Sequence, residues 1–236
     1  MAGVQTNWQE AIAVMRSLVH LIDAALPAAL FKRLLRGVRK VGREGLARTY
    51  QTTFWFDFVE PSCVPEQAIL LLRDRLPRGL RLGGVEWWLS RMRATDVRLD
   101  FHRDRDEKLA LATGREVHPR FSSVLFLNRV RGGALAVTPE PPDDDNPALA
   151  PSRPDFTLVA PRPNRFAWFD GRLTHGVLDA SNQIPDGRLR GPSRLRLAVV
   201  MNWWRARPTG VREFANSRIY GALTSRQTRA SSGTAH

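Results

Sequence analysis

The chain has one cysteine, Cys63, so no internal disulfide can form, which fits a reducing compartment. It has two tyrosines against seven tryptophans and eleven phenylalanines. Lysine is nearly absent: Lys32, Lys40 and Lys108 are the only ones, so arginine carries almost all of the positive charge. No apolar run reaches the length of a membrane span. The apolar stretch over residues 18–31 is interrupted by His20 and Asp23 and lacks a compact charged start and a cleavage site. It reads as an amphipathic helix, not a signal peptide, and a cytoplasmic location is expected.

What the chain has in excess is charge of one sign. Its 36 basic against 23 acidic residues give a formal charge of +13. Such a balance invites nucleic acid or an acidic membrane as partner. The arginines are spread along the chain and not gathered into a tract, which points to compositional bias over a nucleic-acid surface. At 236 residues the chain suits one domain with extensions.

Apolar spacing predicts helix over residues 6–48. Trp8, Ile12, Met15, Val19, Ile22 and Leu26 recur at intervals of three and four, and Pro27 interrupts the pattern. A second helix then carries Phe31, Leu34, Leu35, Val38 and Val41, with a basic face between them. Beyond residue 48 the period changes. Short aromatic and β-branched runs predict strands at 49–59, 83–93, 97–102, 120–127, 134–137, 156–160, 165–169, 176–178 and 195–203. One helix, 65–76, lies among them. Residues 138–154, rich in proline, aspartate and alanine, read as a long surface loop. Many short strands with turn signals indicate a sandwich or barrel. The expected division is a helical extension at 1–48, a β domain at 49–221 and a flexible tail at 222–236.

The chemistry concentrates at His102-Arg103-Asp104. Side chains two apart on an extended backbone point the same way. An imidazole nitrogen and a carboxylate oxygen can therefore reach one metal ion from one strand end. A third ligand must come from elsewhere, and His175 in Thr174-His175-Gly176-Val177 is the candidate. Two histidines and one carboxylate on one face of a metal is the arrangement of non-haem Fe(II) oxygenases. Of the other histidines, His20 and His236 need no functional account, and His118 precedes a proline in a loop. The neighbouring acids Asp100, Asp106 and Glu107 read as partners of Arg103 and Arg105, and Asp170 as a turn residue.

Residues 85–204 resemble the 2-oxoglutarate/Fe(II)-dependent dioxygenase superfamily, nearest its prolyl-4-hydroxylase-like branch. The matching pieces occur in order: His102-x-Asp104, the strand 123–128 ending in Phe126-Leu127-Asn128, Gly132-Gly133-x-Leu135, the strand and turn leading to His175-Gly176-Val177, and the arginine-bearing strand from Arg194 to Val200. The resemblance implies a mainly β fold, a double-stranded β-helix (jelly-roll) core with N-terminal and flanking α-helices. It implies Fe(II) held by His102, Asp104 and His175, with 2-oxoglutarate as co-substrate and O2, and it admits ascorbate. The far carboxylate of 2-oxoglutarate needs a fixed cation, for which the planar fork of arginine is suited. Arg196 and Arg194 share strand parity; Arg196 is preferred on the match of Arg196-Leu197-Ala198 to the family pattern.

By the same resemblance the reaction hydroxylates a C–H bond of a protein or peptide side chain or of a small metabolite, releasing succinate and CO2. Asp104 stands where halogenating relatives carry a small residue, which favours hydroxylation. Phe126 departs from the family tyrosine that bonds 2-oxoglutarate, leaving Ser122, Ser123 or Asn128 as substitutes. The alternatives are a non-catalytic jelly-roll scaffold and a nucleic-acid dealkylase. The motif of the latter, Arg-x-Asn-x-x-x-Arg, does not match residues 194–198. The partners expected are 2-oxoglutarate and an unidentified primary substrate.

Overall fold

The computed structural model describes residues 18–48, 52–92, 101–130, 132–140, 156–178, 196–216 and 220–224. Ten strands fall in chain order: β1 (His20–Ile22), β2 (Phe54–Phe56), β3 (Gly84–Met92), β4 (Phe121–Phe126), β5 (Ala134–Thr138), β6 (Thr157–Val159), β7 (Arg165–Asp170), β8 (Thr174–Leu178), β9 (Arg196–Trp204) and β10 (Arg212–Glu213). Among the described residues three α-helices accompany them: α1 (Ala28–Arg48), α2 (Val64–Arg73) and α3 (Glu107–Thr113).

The strands form a large sheet ordered β1-β7-β4-β9-β3-β2-β10 and a small one ordered β6-β5-β8. A single bridge between His102 and His175 adds a fourth position beside β8 in the small sheet. From β3 the chain passes to the His102 bridge in the small sheet, to β4 in the large, to β5 and β6 in the small, to β7 in the large, to β8 in the small and to β9 in the large. Consecutive segments thus wind back and forth between two sheets, which is the double-stranded β-helix arrangement of a jelly roll.

Strand parity sorts the side chains into two cores. On β4, Val124 and Phe126 face one way and Leu125 the other; on β9, Ala198 opposes Leu197, Val199, Met201 and Trp203. The inward set packs with Leu135 and Val137 of β5 and Val159 of β6, filling the space between the sheets. The outward set joins the helical layer, where Leu34 and Val38 of α1 and Ile69 and Leu72 of α2 are buried together with Trp87, Met201 and Trp203. Both faces of the central strands are covered, so β4 and β9 read as continuous apolar runs.

One expectation fails in the part of the N-terminal segment that is described; residues 1–17 lie outside it. Helix was predicted across 6–26, yet His20–Ile22 is strand β1, antiparallel to β7 with His20 opposite Trp168. Val19, Ile22 and Leu26 fit a helical spacing, but the exposed edge of β7 offers unpaired backbone groups that a strand satisfies. Two contacts fix the segment there: the His20 ring stacks on Trp168 at 3.9 Å, and the Asn164 side chain bonds both the N–H and the carbonyl of Leu26 at 3.0 and 2.8 Å. Pro27 then precedes α1, which kinks at Gly42 (φ 70°).

Helix α3 was missed by the sequence reading, which took it as a polar connection. Asp106 caps its start by accepting from Leu109 N, and Gly114 (φ 69°) ends it. None of its residues is buried, so it carries no apolar stripe to announce it.

Candidate metal centre

His102, Asp104 and His175 come together where the small sheet meets the inward face of the large one. Their ligand atoms all lie within 4.8 Å of one another. His102 Nε2 is 3.7 Å from Asp104 Oδ1, and His175 Nε2 is 3.3 Å from Asp104 Oδ2. The two imidazole centroids are 4.6 Å apart.

The backbone sets this geometry. The bridge joins His102 N to His175 O at 3.1 Å and His175 N to His102 O at 2.9 Å, placing the two side chains as a directly opposed pair. Phe101 and Gly176, one residue away on each strand, turn to the opposite face. There the Phe101 ring lies against Gly176, where an added Cβ would sit 3.3 Å from its atoms. Phe101 also packs with Ala136, Leu178 and Phe156, which anchors the start of the His-x-Asp segment.

Each ligand has a supporting contact. His175 Nδ1 donates to Leu173 O at 3.1 Å, which fixes the ring with Nε2 toward Asp104. Ser122 Oγ donates to Asp104 Oδ2 at 2.6 Å. His118 Nδ1 contacts the Asp104 carbonyl at 2.7 Å. Burial works to raise the Asp104 pKa, but the charge of His175 and the hydrogen bonds from both histidines outweigh it, and the carboxyl is held well below its usual range. An ionised carboxylate with two imidazoles suits a divalent cation that accepts nitrogen and oxygen ligands. The donor set therefore fits Fe(II).

Arg196 lies on the inward face of β9 and is 1% exposed. Its Nε donates to Gly133 O at 2.9 Å, and its guanidinium sits 5.0 Å from the centroid of the Phe126 ring. Among the described residues no carboxylate pairs with it. Burial alone lowers its pKa to about 10. Gly133, with φ +69°, makes room for it: a Cβ there would lie 2.8 Å from Arg196 Cδ. Arg194, the other arginine considered, lies outside the described residues.

The three suggested stand-ins for the family tyrosine are otherwise engaged. Ser122 holds Asp104. Ser123 faces the helical layer, where its Oγ donates to Met201 O at 3.1 Å and accepts from Trp203 Nε1 at 2.8 Å. Asn128 Oδ1 accepts from Leu197 N at 2.9 Å. Phe126, expected to stand in place of that tyrosine, is a surface beneath the Arg196 guanidinium. The acids beside the motif hold other partners: Arg105 pairs with Glu107 and Glu116, Asp106 caps α3, and Asp170 accepts from Arg172.

Sequence reasoning missed the role of three residues. Ser122 and His118 touch Asp104, and only the strand register reveals it. Glu86 of β3 lies opposite Asn202, which lies opposite Ser122, so the three share one row across the inward face. Burial raises the Glu86 pKa to about 7, opposed by the nearby polar groups of Thr53 and Trp204, with the charges of Asp104 and Asp106 adding to the rise.

A jelly roll holding two histidines and a carboxylate in one cluster is the class of protein that fold and site define. No protein-family model matches the chain, and no curated protein matches it. Among solved structures it is similar to a prolyl-4-hydroxylase from Pseudomonas putida, at 22% identity over 80% of this chain and 89% of that one, with a TM-score of 0.48. It is similar also to HygX from Streptomyces hygroscopicus, solved with nickel and 2-oxoglutarate bound, at 13% identity over 88% and 89% of the two chains, TM-score 0.47. A third is an oxidoreductase of the 2OG-Fe(II) oxygenase family from Burkholderia pseudomallei, at 16% identity over 90% and 97%, TM-score 0.45. Likenesses at this level carry no argument of their own; the fold rests on the strand order and the site on its geometry.

Proposed function

We propose that this chain is an Fe(II)- and 2-oxoglutarate-dependent dioxygenase that hydroxylates a C–H bond of a protein or peptide side chain or of a small metabolite. The observation that carries the proposal is the presence, on the facing inner sides of the two sheets, of a His-Asp-His cluster and a buried arginine with no acidic partner among the described residues. A buried cation without a counter-charge is costly, and an incoming carboxylate removes that cost.

His102, Asp104 and His175 would hold the metal, and Arg196 the far carboxylate of 2-oxoglutarate. When bound, Fe(II) would supply the redox chemistry that couples oxidation of 2-oxoglutarate to succinate and CO2 with conversion of C–H to C–OH, one oxygen atom of O2 entering succinate and the other the new hydroxyl. The chain's residues position and shield. Arg196 uses Nε on Gly133 O, which leaves both terminal amino groups for two-point pairing with a carboxylate. Ser122 fixes the rotation of the Asp104 carboxylate, and Leu173 O fixes the His175 ring. Val124, Phe126 and Phe169 line the space between the sheets and keep it dry.

The test is anaerobic addition of Fe(II) and 2-oxoglutarate to the apo-protein, followed by O2. A weak visible charge-transfer band and then succinate release are expected, both abolished in His102→Ala. Absence of the band together with unchanged metal content in His102→Ala would overturn the site.

A further inference from the structure

A cavity of about 570 Å³ opens beside the metal centre, between the C-terminal end of β9, the turn after it and the segment leading into β4. It adjoins the site directly: His118 lines it and contacts the Asp104 carbonyl, and Arg120 precedes by two residues the serine that holds the Asp104 side chain. Trp204 lines it from the inward parity of β9, shared with Asn202 and Arg196. The cavity thus continues the inward face toward the end of β9 opposite Arg196.

Its wall is cationic. Arg115, Arg120, Arg172, Arg205 and Arg207 line it, against the carboxylates of Asp106 and Asp170. Both acids are committed. Asp170 pairs with Arg172 at 2.7 Å. Asp106 Oδ1 accepts from Leu109 N, and Oδ2 from Thr209 N and Oγ1 at 2.8 and 2.9 Å. Arg207 is paired with Glu213 at 3.0 Å. Arg115 and Arg205 have no ion pair among the described residues, and Arg120 meets Asp170 through charge without a direct salt bridge. The Nε of Arg120 is buried with no hydrogen-bond partner, a donor left unmet at the edge of the cavity. Two exposed guanidinium groups without counter-charge, with a third, Arg120, that shares Asp170 with Arg172, around a space of small-molecule size suit a compact multivalent anion.

We propose that this cavity binds an anionic group, a carboxylate or a phosphate, carried by the primary substrate, so that the substrate is a small acid or phosphate ester. The assignment to a substrate rests on the oxygenase reading; the anion site itself does not, and the experiment separates the two. Calorimetric titration is done on Arg196→Met protein, which lacks the other anion-binding arginine and needs neither metal nor turnover. Citrate and tripolyphosphate serve as the carboxylate and phosphate probes. Saturable binding of one or both is expected, the tighter probe naming the group. In Arg115→Gln/Arg205→Gln, two exposed positions whose replacement leaves the core intact, binding weakens at least tenfold. In Arg36→Gln/Lys40→Gln, which removes equal charge from α1, it does not. No saturable binding, or equal loss in both double variants, overturns the anion site. Binding that behaves as expected, with succinate release stimulated by neutral and not by acidic candidates, overturns the assignment to substrate.

Discussion

Ser122 Oγ lies 2.6 Å from Asp104 Oδ2, and this one hydrogen bond ties the carboxylate at the centre of the His-Asp-His cluster to β4, an interior strand of the large sheet. Asp104 is reached through a segment with only a single bridge to the small sheet, so its backbone alone orients the side chain weakly. Ser122 is a positioning residue. Ser122→Ala is expected to reduce divalent-metal affinity about 10- to 100-fold, the usual effect of losing an outer contact to a ligand. Ser122→Thr, which keeps the hydroxyl, is expected to restore most of it. Calorimetric titration with Co(II) reads the affinity, and thermal unfolding of the metal-free variants checks that the fold is intact. Equal affinity in Ser122→Ala and the parent would remove the role.

Arg196 gives a prediction in which binding and stability move apart. The guanidinium is buried without an acidic partner, so ionisation costs the folded state and replacing the residue relieves that cost. Arg196→Met keeps the volume over Phe126 and is expected to leave the unfolding free energy unchanged or raised. The same change should weaken 2-oxoglutarate binding roughly 100-fold, ~2.7 kcal/mol. Denaturant unfolding and titration of 2-oxoglutarate onto the Co(II) form measure the two. A variant that binds 2-oxoglutarate normally would place the co-substrate elsewhere.

How much of this was legible in the sequence depends on what each residue advertises. Strands β4, β7 and β9 were readable because both faces are buried, so their sequences run apolar between turn residues. The convergence of His102, Asp104 and His175 was readable from spacing and motif order. Strand β1 was not, because Val19, Ile22 and Leu26 satisfy a helical period and only the open edge of β7 decides for a strand. Ser122 and Ser123 stand side by side with opposite fates, one on the metal ligand and one under Trp203. Nothing local separates them; the parity of β4 relative to Asp104 does. Glu86 was invisible for the same reason, since its nearness to the site is a matter of register across β3, β9 and β4.

Glu86 predicts a pH dependence with a definite sign. Burial raises its pKa from 4.5 to about 7, so between those values the folded state holds a proton that the unfolded state has lost. Stability from this group is full below pH 4.5, falls as pH rises through the window and is flat above about 7. The full loss is at most about 3 kcal/mol. Glu86→Gln, which cannot ionise, is expected to gain on the parent by up to that amount between pH 4.5 and 8, with no gain below. Denaturant unfolding of the two metal-free proteins across this range gives the difference. A difference independent of pH would mean that Glu86 titrates normally.

The contact between Phe101 and Gly176 carries the last prediction. These residues flank His102 and His175 of the candidate metal centre, and the Phe101 ring lies so close to Gly176 that a Cβ would meet it at 3.3 Å. A methyl forces the ring to yield by a few tenths of an ångström; a branched side chain cannot be fitted without moving Phe101 and, with it, the backbone that pairs His102 to His175. Gly176→Val is therefore expected to destabilise by about 1–3 kcal/mol through overpacking, with a loss of metal affinity beyond that of Gly176→Ala. Phe101→Leu in the Gly176→Val background opens space and is expected to recover metal affinity in part. Recovery in the double variant separates displacement of the His-x-Asp segment from general destabilisation, since Phe101→Leu alone removes core contacts with Phe156 and Leu178 and lowers stability further. If the double variant binds metal no better than Gly176→Val, the two histidines are held by something other than this packing.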